Sequence, residues 1–174
     1  MTAVYVAAGS NVDPERNLAR ALDALRRSFP GLAVSSCYRN KAFGFDGEDF
    51  LNLVTGFETE LTLDEVLSIL HRIEADCGRS RDAPKWAPRS MDLDVLLFDD
   101  LVCRTPSLTL PRPDLLRRAY MLGPLAELAP ELVHPTVHRT IGTLWSQFDQ
   151  EAHPLERVEL GQRRRNCAGG REPV

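Results

Sequence analysis

An α+β fold is predicted by three observations. Two segments repeat apolar residues at helical spacing, and four others are short and rich in strand formers. The two kinds alternate in the order βαββαβ. One helix start also carries a full capping signal, which fixes the boundary between the third strand and the second helix.

Val4 to Ala8 is a short buried strand, ended by Gly9-Ser10-Asn11. Asp13-Pro14 begins a helix, with Asp as N-cap and Pro at the first helical position. Leu18, Leu22, Leu25 and Phe29 follow on one helical face, and Pro30-Gly31 stops it. Leu32, Val34, Ser36 and Tyr38 alternate with smaller or more polar residues, which predicts a second strand. Asn40 to Asp49 holds three acidic residues and two glycines and reads as a loop; Phe50 to Thr59 is the third strand. Thr62-Leu-Asp-Glu65 is a capping box. Leu63, Val66, Leu67, Leu70 and Ile73 form the buried stripe of the second helix, with His71, Arg72 and Glu74 on its polar face. The fourth strand starts near Asp92. This order is the ferredoxin-like arrangement, an antiparallel sheet with helices on one face.

After Phe98 the chain reads as a C-terminal helical extension. Asp114 to Arg118 suits one helical turn, Met121 to Ala129 a helix ended by Pro130, and Ile141 to Phe148 another. Residues 1–160 are expected to form a single domain, and residues 161–174, polar and without periodicity, a disordered tail.

A chain of 174 residues is long enough for a real core, and 43% hydrophobic with 26% charged residues is a globular composition. A net charge of -4 speaks against general nucleic-acid binding. The positive charge is local, between Arg79 and Arg89 and again at Arg112, Arg117 and Arg118, a pattern that suits a small anion. Cys37, Cys77, Cys103 and Cys167 form no CxxC pair, which excludes the usual spacing of structural zinc. No segment has the length of a membrane span or the form of a signal peptide, so the expected location is a reducing cytoplasm. Monomer and homodimer both stay open.

The chemistry concentrates in GRSRDAPKWAPRSMDLDVLLF, residues 78–98. Arg79, Arg81, Lys85 and Arg89 precede Asp92 and Asp94, and an apolar run follows. On a strand, residues two apart face the same way, so Asp92 and Asp94 project together while Leu93 and Val95 enter a core. Adjacent carboxylates repel unless a cation lies between them. Hard oxygen pairs suit magnesium, which takes one or two carboxylates and completes its shell with phosphates and water. Guanidinium forks match phosphate oxygens. Trp86, between Pro84 and Pro88, either stacks on a base or packs the loop shut. Each feature alone has an ordinary reading, as a DxD strand end or a solvated basic face. Together they point to a nucleoside triphosphate gripped by cations, with its magnesium held by the carboxylates.

These motifs resemble the 6-hydroxymethyl-7,8-dihydropterin pyrophosphokinase family of folate biosynthesis. The resemblance covers roughly Val4 to Pro135. It rests on AAGSN (residues 7–11), FLNLV (50–54), the block at 78–98, and LTLPRPDLLRRAYMLGPLAELAPELVHP (108–135). The family's RWxPRxxDLD pattern appears here as KWAPRSMDLD. The resemblance implies ATP-dependent transfer of diphosphate to the pterin hydroxymethyl group with release of AMP. It implies two magnesium ions on Asp92 and Asp94, and phosphate contacts from Arg79, Arg89 and Arg118. Arg81 and Trp86 would sit on a mobile loop over the nucleotide. His71, Glu74, Val95, Thr109 and Arg112 would lie on the nucleotide side. Asn52 would meet the polar edge of the pterin, Phe50 and Tyr120 its ring, and Asn40, Lys41 and Phe43 the loop beside it.

Three positions depart from the family's commoner pattern. Arg112 stands in Pro111-Arg112-Pro113 where histidine is frequent, His71 where glutamine is common, and NKAFG where a TxPxG-like sequence is usual. The residues do not identify a general base. The loops at residues 40–49 and 78–91 flank the site and are expected to act as lids. Other readings are a paralogue acting on a different pterin, a two-metal nucleotidyl transferase that would release pyrophosphate, and a non-catalytic nucleotide-binding module.

Overall fold

The computed structural model describes residues 1–40, 49–78 and 91–161. Its frame is a six-stranded antiparallel sheet. β1 (Thr2–Ser10) lies between β4 (Phe50–Thr59) and β5 (Asp92–Phe98). β4 also pairs with β2 (Ala33–Val34) and β3 (Cys37–Asn40), and β8 (Glu156–Val158) lines the outer edge of β3. The strand order is β5-β1-β4-β3-β8.

α1 (Pro14–Ser28) and α2 (Leu63–Asp76) pack on one face of this sheet. Their stripes meet Val4, Val6, Leu53 and Val95, with Leu18, Leu25 and Leu70 fully buried. Phe29 stacks on Phe57 at a ring-centroid distance of 3.8 Å. The capping box forms as expected: Glu65 N–H donates to Thr62 Oγ1 at 3.3 Å, and Thr62 N–H donates to Glu65 Oε2 at 2.7 Å.

The expectation of helices on one face holds for α1 and α2 alone. α3 (Ala119–Leu128) and α4 (Ile141–Gln147) cover the opposite face, where Ala7, Val54 and Leu96 meet Leu122, Leu125 and Ile141. The reason lies in β1 and β4, which bury successive residues rather than alternate ones. Strands apolar on both sides need cover on both sides. The extension after Phe98 is therefore a second layer of the core.

Local differences from the sequence reading have local causes. β1 runs on through Gly9 and Ser10, because both find partners in β4. The predicted second strand breaks at Ser35. There Ser35 N–H bonds Val54 O at 2.9 Å, and Val54 N–H turns to Ser35 Oγ at 2.9 Å, a hydroxyl in place of a carbonyl. Asp13 occupies the N-cap of α1 at φ 41 and makes no side-chain cap bond. Glu74 is buried, only 6% exposed, and leaves the polar face of α2 to His71 and Arg72. A hairpin of β6 (Cys103–Arg104) and β7 (Thr109–Leu110), and β8 itself, are too short to carry a readable period. The turn expected near Asp114 is a 3-10 helix, Pro113–Leu116. Among the described residues, no helix is long and apolar enough to cross a membrane.

His134 is 2% exposed, and its Nδ1 accepts the N–H of Thr136 and of Val137, each at 3.3 Å. Burial, then the nearby His138, lowers its pKa below the usual value. Stability is therefore full above the unfolded pKa of about 6.5 and is lost as pH falls through the lower folded value. Urea midpoints should decline below about pH 6.5, and His134→Gln should flatten that decline.

Candidate active site

The register of the sheet builds the site. Gly9 is the Cα partner of Asn52 on β4 and of Asp92 on β5, and Asn52 is in turn the partner of Tyr38 on β3. One row therefore runs Asp92, Gly9, Asn52, Tyr38. The next row runs Asp94, Ala7, Val54. Cα partners and residues two apart share a face. Asp92, Asp94, Asn52, Phe50 and Asn40 therefore all stand on the face that α3 covers farther along. Among the described residues, the cover given by α3 takes in Ala7, Val54 and Leu96 and stops short of the end with the polar residues. The strand spacing puts Asp92 and Asn52 roughly 10 Å apart, with β1 between them.

Gly9 is the floor between the two halves. A Cβ built there would lie 2.6 Å from Asn52 Oδ1, so the Asn52 amide rests against a position without a side chain. Its Nδ2 donates to Asn40 Oδ1. Asn52 is buried and Asn40 half-buried. The structure thus gives Gly9 a packing role beyond a strand-ending turn.

On the other half, Asp92 and Asp94 are half-buried. Arg112 Nη2 lies 3.2 Å from Asp94 Oδ1, with side-chain exposures of 29% and 22%. The Arg112 N–H donates to Leu96 O at 2.9 Å, which docks this segment along β5. Arg112 Nε is buried with no hydrogen-bond partner among the described residues. An unmet buried donor of this kind costs about 1–3 kcal/mol. Behind the pair, on the α2 side of the sheet, Glu74 Oε1 accepts the N–H of Leu93 at 3.4 Å, and so ties α2 to the strand between the two aspartates.

Tyr120, in the first turn of α3, overhangs the same end. Burial pushes its hydroxyl pKa up; Arg118 opposes this, while Asp114, Asp94 and Asp92 add to it. Tyr120 thus lies within electrostatic reach of both aspartates and Arg118. A cavity of about 460 Å³ lies on the Asn40 side of Tyr120, lined by Asn40, Arg118 and Tyr120 together with Arg39, Asp49, Arg117 and residues 152–156; Asp92 and Asp94 are not in its lining. α3 is held over the sheet by Glu127, whose carboxylate accepts Ser36 N–H at 2.6 Å and Tyr38 O–H at 2.7 Å. Burial raises the Glu127 pKa, but these bonds outweigh it and hold the carboxyl below its usual value.

The structure thus gathers Asp92, Asp94, Arg112, Arg118, Tyr120, Asn40, Asn52 and Phe50 at one end of one face. His71 is exposed on α2, one turn before Glu74. Val95 is buried in the α1 and α2 core, so it can meet a ligand only through its backbone. Thr109 lies half-buried on β7. Arg79, Arg81, Trp86, Arg89, Lys41 and Phe43 lie outside the described residues. Sequence reasoning missed Glu127 and the wall at residues 152–156. Glu127 had a signal, since it follows Tyr120 by seven residues and shares its helical face; the wall had none.

No cluster of three or more His, Cys, Asp or Glu side chains suited to a metal occurs among the described residues. Two carboxylates facing one way, with a guanidinium beside one of them, fit a hard cation that draws its other ligands from phosphate and water.

The family model described as 7,8-dihydro-6-hydroxymethylpterin-pyrophosphokinase (HPPK) matches residues 5–130. Three relatives are named 2-amino-4-hydroxy-6-hydroxymethyldihydropteridine pyrophosphokinase. That of Aquifex aeolicus is 35% identical over 143 residues, 81% of this chain and 89% of the relative. That of Pseudomonas aeruginosa is 41% identical over 137 residues, covering 76% and 83%. That of Methylorubrum extorquens is 39% identical over 166 residues, covering 91% and 100%. Among solved structures, an HPPK-DHPS in complex with substrates superimposes with a TM-score of 0.66 at 13% identity, over 87% of this chain and 44% of that longer one. At that identity the likeness speaks for the fold.

Gly9→Ala should displace the Asn52 amide and lower stability by about 1–3 kcal/mol. Urea unfolding measures the loss, and side-chain amide NMR should show the Asn40 and Asn52 signals shifting together.

Proposed function

We propose, for a chain that belongs to the 7,8-dihydro-6-hydroxymethylpterin-pyrophosphokinase family, that the open end of the sheet seats ATP and the pterin side by side across Gly9. The chain is a pyrophosphokinase of folate biosynthesis. The proposal concerns how its residues divide the work. The single observation that carries it is the register in which Gly9 pairs with both Asp92 and Asn52.

Asp92 and Asp94 hold two magnesium ions, which when bound neutralise the triphosphate and lower the barrier to displacement. Arg112, after β7, and Arg118, at the start of α3, grip phosphate oxygens; Arg79 and Arg89 do so as well, and Arg81 and Trp86 meet the nucleotide. Glu74 holds the backbone between the aspartates, so their spacing does not drift. His71, Thr109 and the backbone at Val95 border the nucleotide. Asn52, oriented by Asn40, reads the polar edge of the pterin, and Phe50 and Tyr120 flank its ring. Lys41 and Phe43 are assigned to pterin binding as well. The pterin hydroxymethyl oxygen then attacks the β-phosphorus of ATP in line, and AMP leaves. The protein contributes positioning and charge compensation.

We read the order β5-β1-β4-β3 as a ferredoxin-like βαββαβ unit, extended at one edge by β8 and on its second face by α3 and α4. We take residues 1–160 as one domain acting in the cytoplasm.

Incubation with ATP, magnesium and 6-hydroxymethyl-7,8-dihydropterin should yield AMP and the pterin diphosphate by mass spectrometry. Pyrophosphate as product would instead indicate nucleotidyl transfer. Asp92→Ala should lower kcat by at least about 10²-fold, with a much smaller change in pterin affinity by fluorescence titration. Undiminished turnover would refute the assignment.

A further inference from the structure

We propose that Arg112 is a built-in counter-ion for the carboxylate pair, given up only when a triphosphate arrives, so that divalent cation and nucleotide load together. This rests on the reading of Asp94 as an ion ligand. Arg112 Nη2 already takes Asp94 Oδ1 at 3.2 Å. A guanidinium and a divalent cation repel, so they compete for that carboxylate. An ion arriving alone therefore works against the arginine and weakens its ion pair with Asp94.

The way Arg112 is held suits an exchange of partners. Its backbone N–H is fixed to Leu96 O at 2.9 Å, two residues along β5 from Asp94, so the side chain can swing while the chain stays docked. Among the described residues, the guanidinium makes a single ion pair, with Asp94, and its buried Nε has no partner. A triphosphate offers what the carboxylate leaves unmet: several oxygens that a planar fork can engage two at a time. The nucleotide thereby removes the competitor from Asp94 and brings further ligands for the ion. Arginine stays charged at every working pH. The competition therefore persists at neutral and alkaline pH, where an uncharged imidazole would offer none.

The test is Mn2+ binding to the full chain, by isothermal titration or electron paramagnetic resonance, with and without a non-hydrolysable α,β-methylene ATP. Arg112→Gln and Arg112→Ala should bind Mn2+ alone roughly three- to tenfold more tightly than the wild type, as loss of a partly exposed ion pair allows. Both should gain less than the wild type when the analogue is added. In an Asp94→Asn background the gain from Arg112→Gln should disappear, since no pair is left to break. Thermal unfolding of each variant verifies that it is native. Unchanged or weaker Mn2+ binding by both Arg112 variants overturns the proposal. So does a gain that persists beside Asp94→Asn, which would make the effect one of charge at a distance. Should Asp94→Asn leave Mn2+ affinity with the analogue intact, the ion-ligand reading itself fails and the counter-ion falls with it. If Asp94→Asn weakens that affinity but the Arg112 variants change nothing, the counter-ion alone is wrong.

Discussion

Gly9 is the position on which the site depends, because it is paired on both sides. Asp92 and Asn52 come from strands forty residues apart in sequence, and only their common partner on β1 puts them in one row. The period of two then fixes the face for Asp94, Phe50 and Asn40. A slip of one residue in either pairing would turn a carboxylate or the amide into the α1 and α2 core. The flanking apolar residues hold against such a slip. Val4, Val6 and Ala8 are buried toward α1 and α2, as are Leu93 and Val95. The hydrophobic core that stabilises the fold is thus also the register lock of the site.

The two faces of the sheet have different tasks. The α1 and α2 face is mainly apolar, and Glu74 enters it to bond the backbone between the aspartates. The other face is divided. α3 and α4 cover one end, and the end beyond them carries nearly every polar side chain of the site among the described residues. The division is kept by Glu127, whose two short bonds to Ser36 and Tyr38 pin α3 across β3. Tyr120 and Arg118 then overhang the aspartates from the start of the same helix.

Much of this was legible in the chain itself. Both long helices show their period clearly, the long strands read as apolar runs, and the capping box at Thr62 to Glu65 marks its boundary to the residue. The shared face of Asp92 and Asp94 follows from spacing alone. What escaped depends on partners distant in sequence. Ser35 breaks a strand because its hydroxyl meets Val54, and nothing near Ser35 announces this. Glu74 looked solvent-facing by helical position, yet α2 lies so close to β5 that its carboxylate finds the N–H of Leu93. The second layer made by α3 and α4 was hidden in a short inference not drawn: β4 is apolar on both sides and must be covered twice. The wall at residues 152–156 carries no period or motif, and only the fold brings it to the cavity.

The short strand β8 has a meaning for assembly. Outer strands of open sheets present unpaired backbone groups that recruit other chains. Here β8 occupies the free side of β3, and the backbone of Arg112 takes up Leu96 O on the free side of β5. Both rims of the sheet are thus at least partly occupied by segments from the second half of the chain. A nascent polypeptide that has emerged only as far as Phe98 would hold all the long strands while both flanks still lay bare. Solubility during synthesis should then be poorest at intermediate lengths, and the segment that ends in β8 would act as a seal as well as a wall.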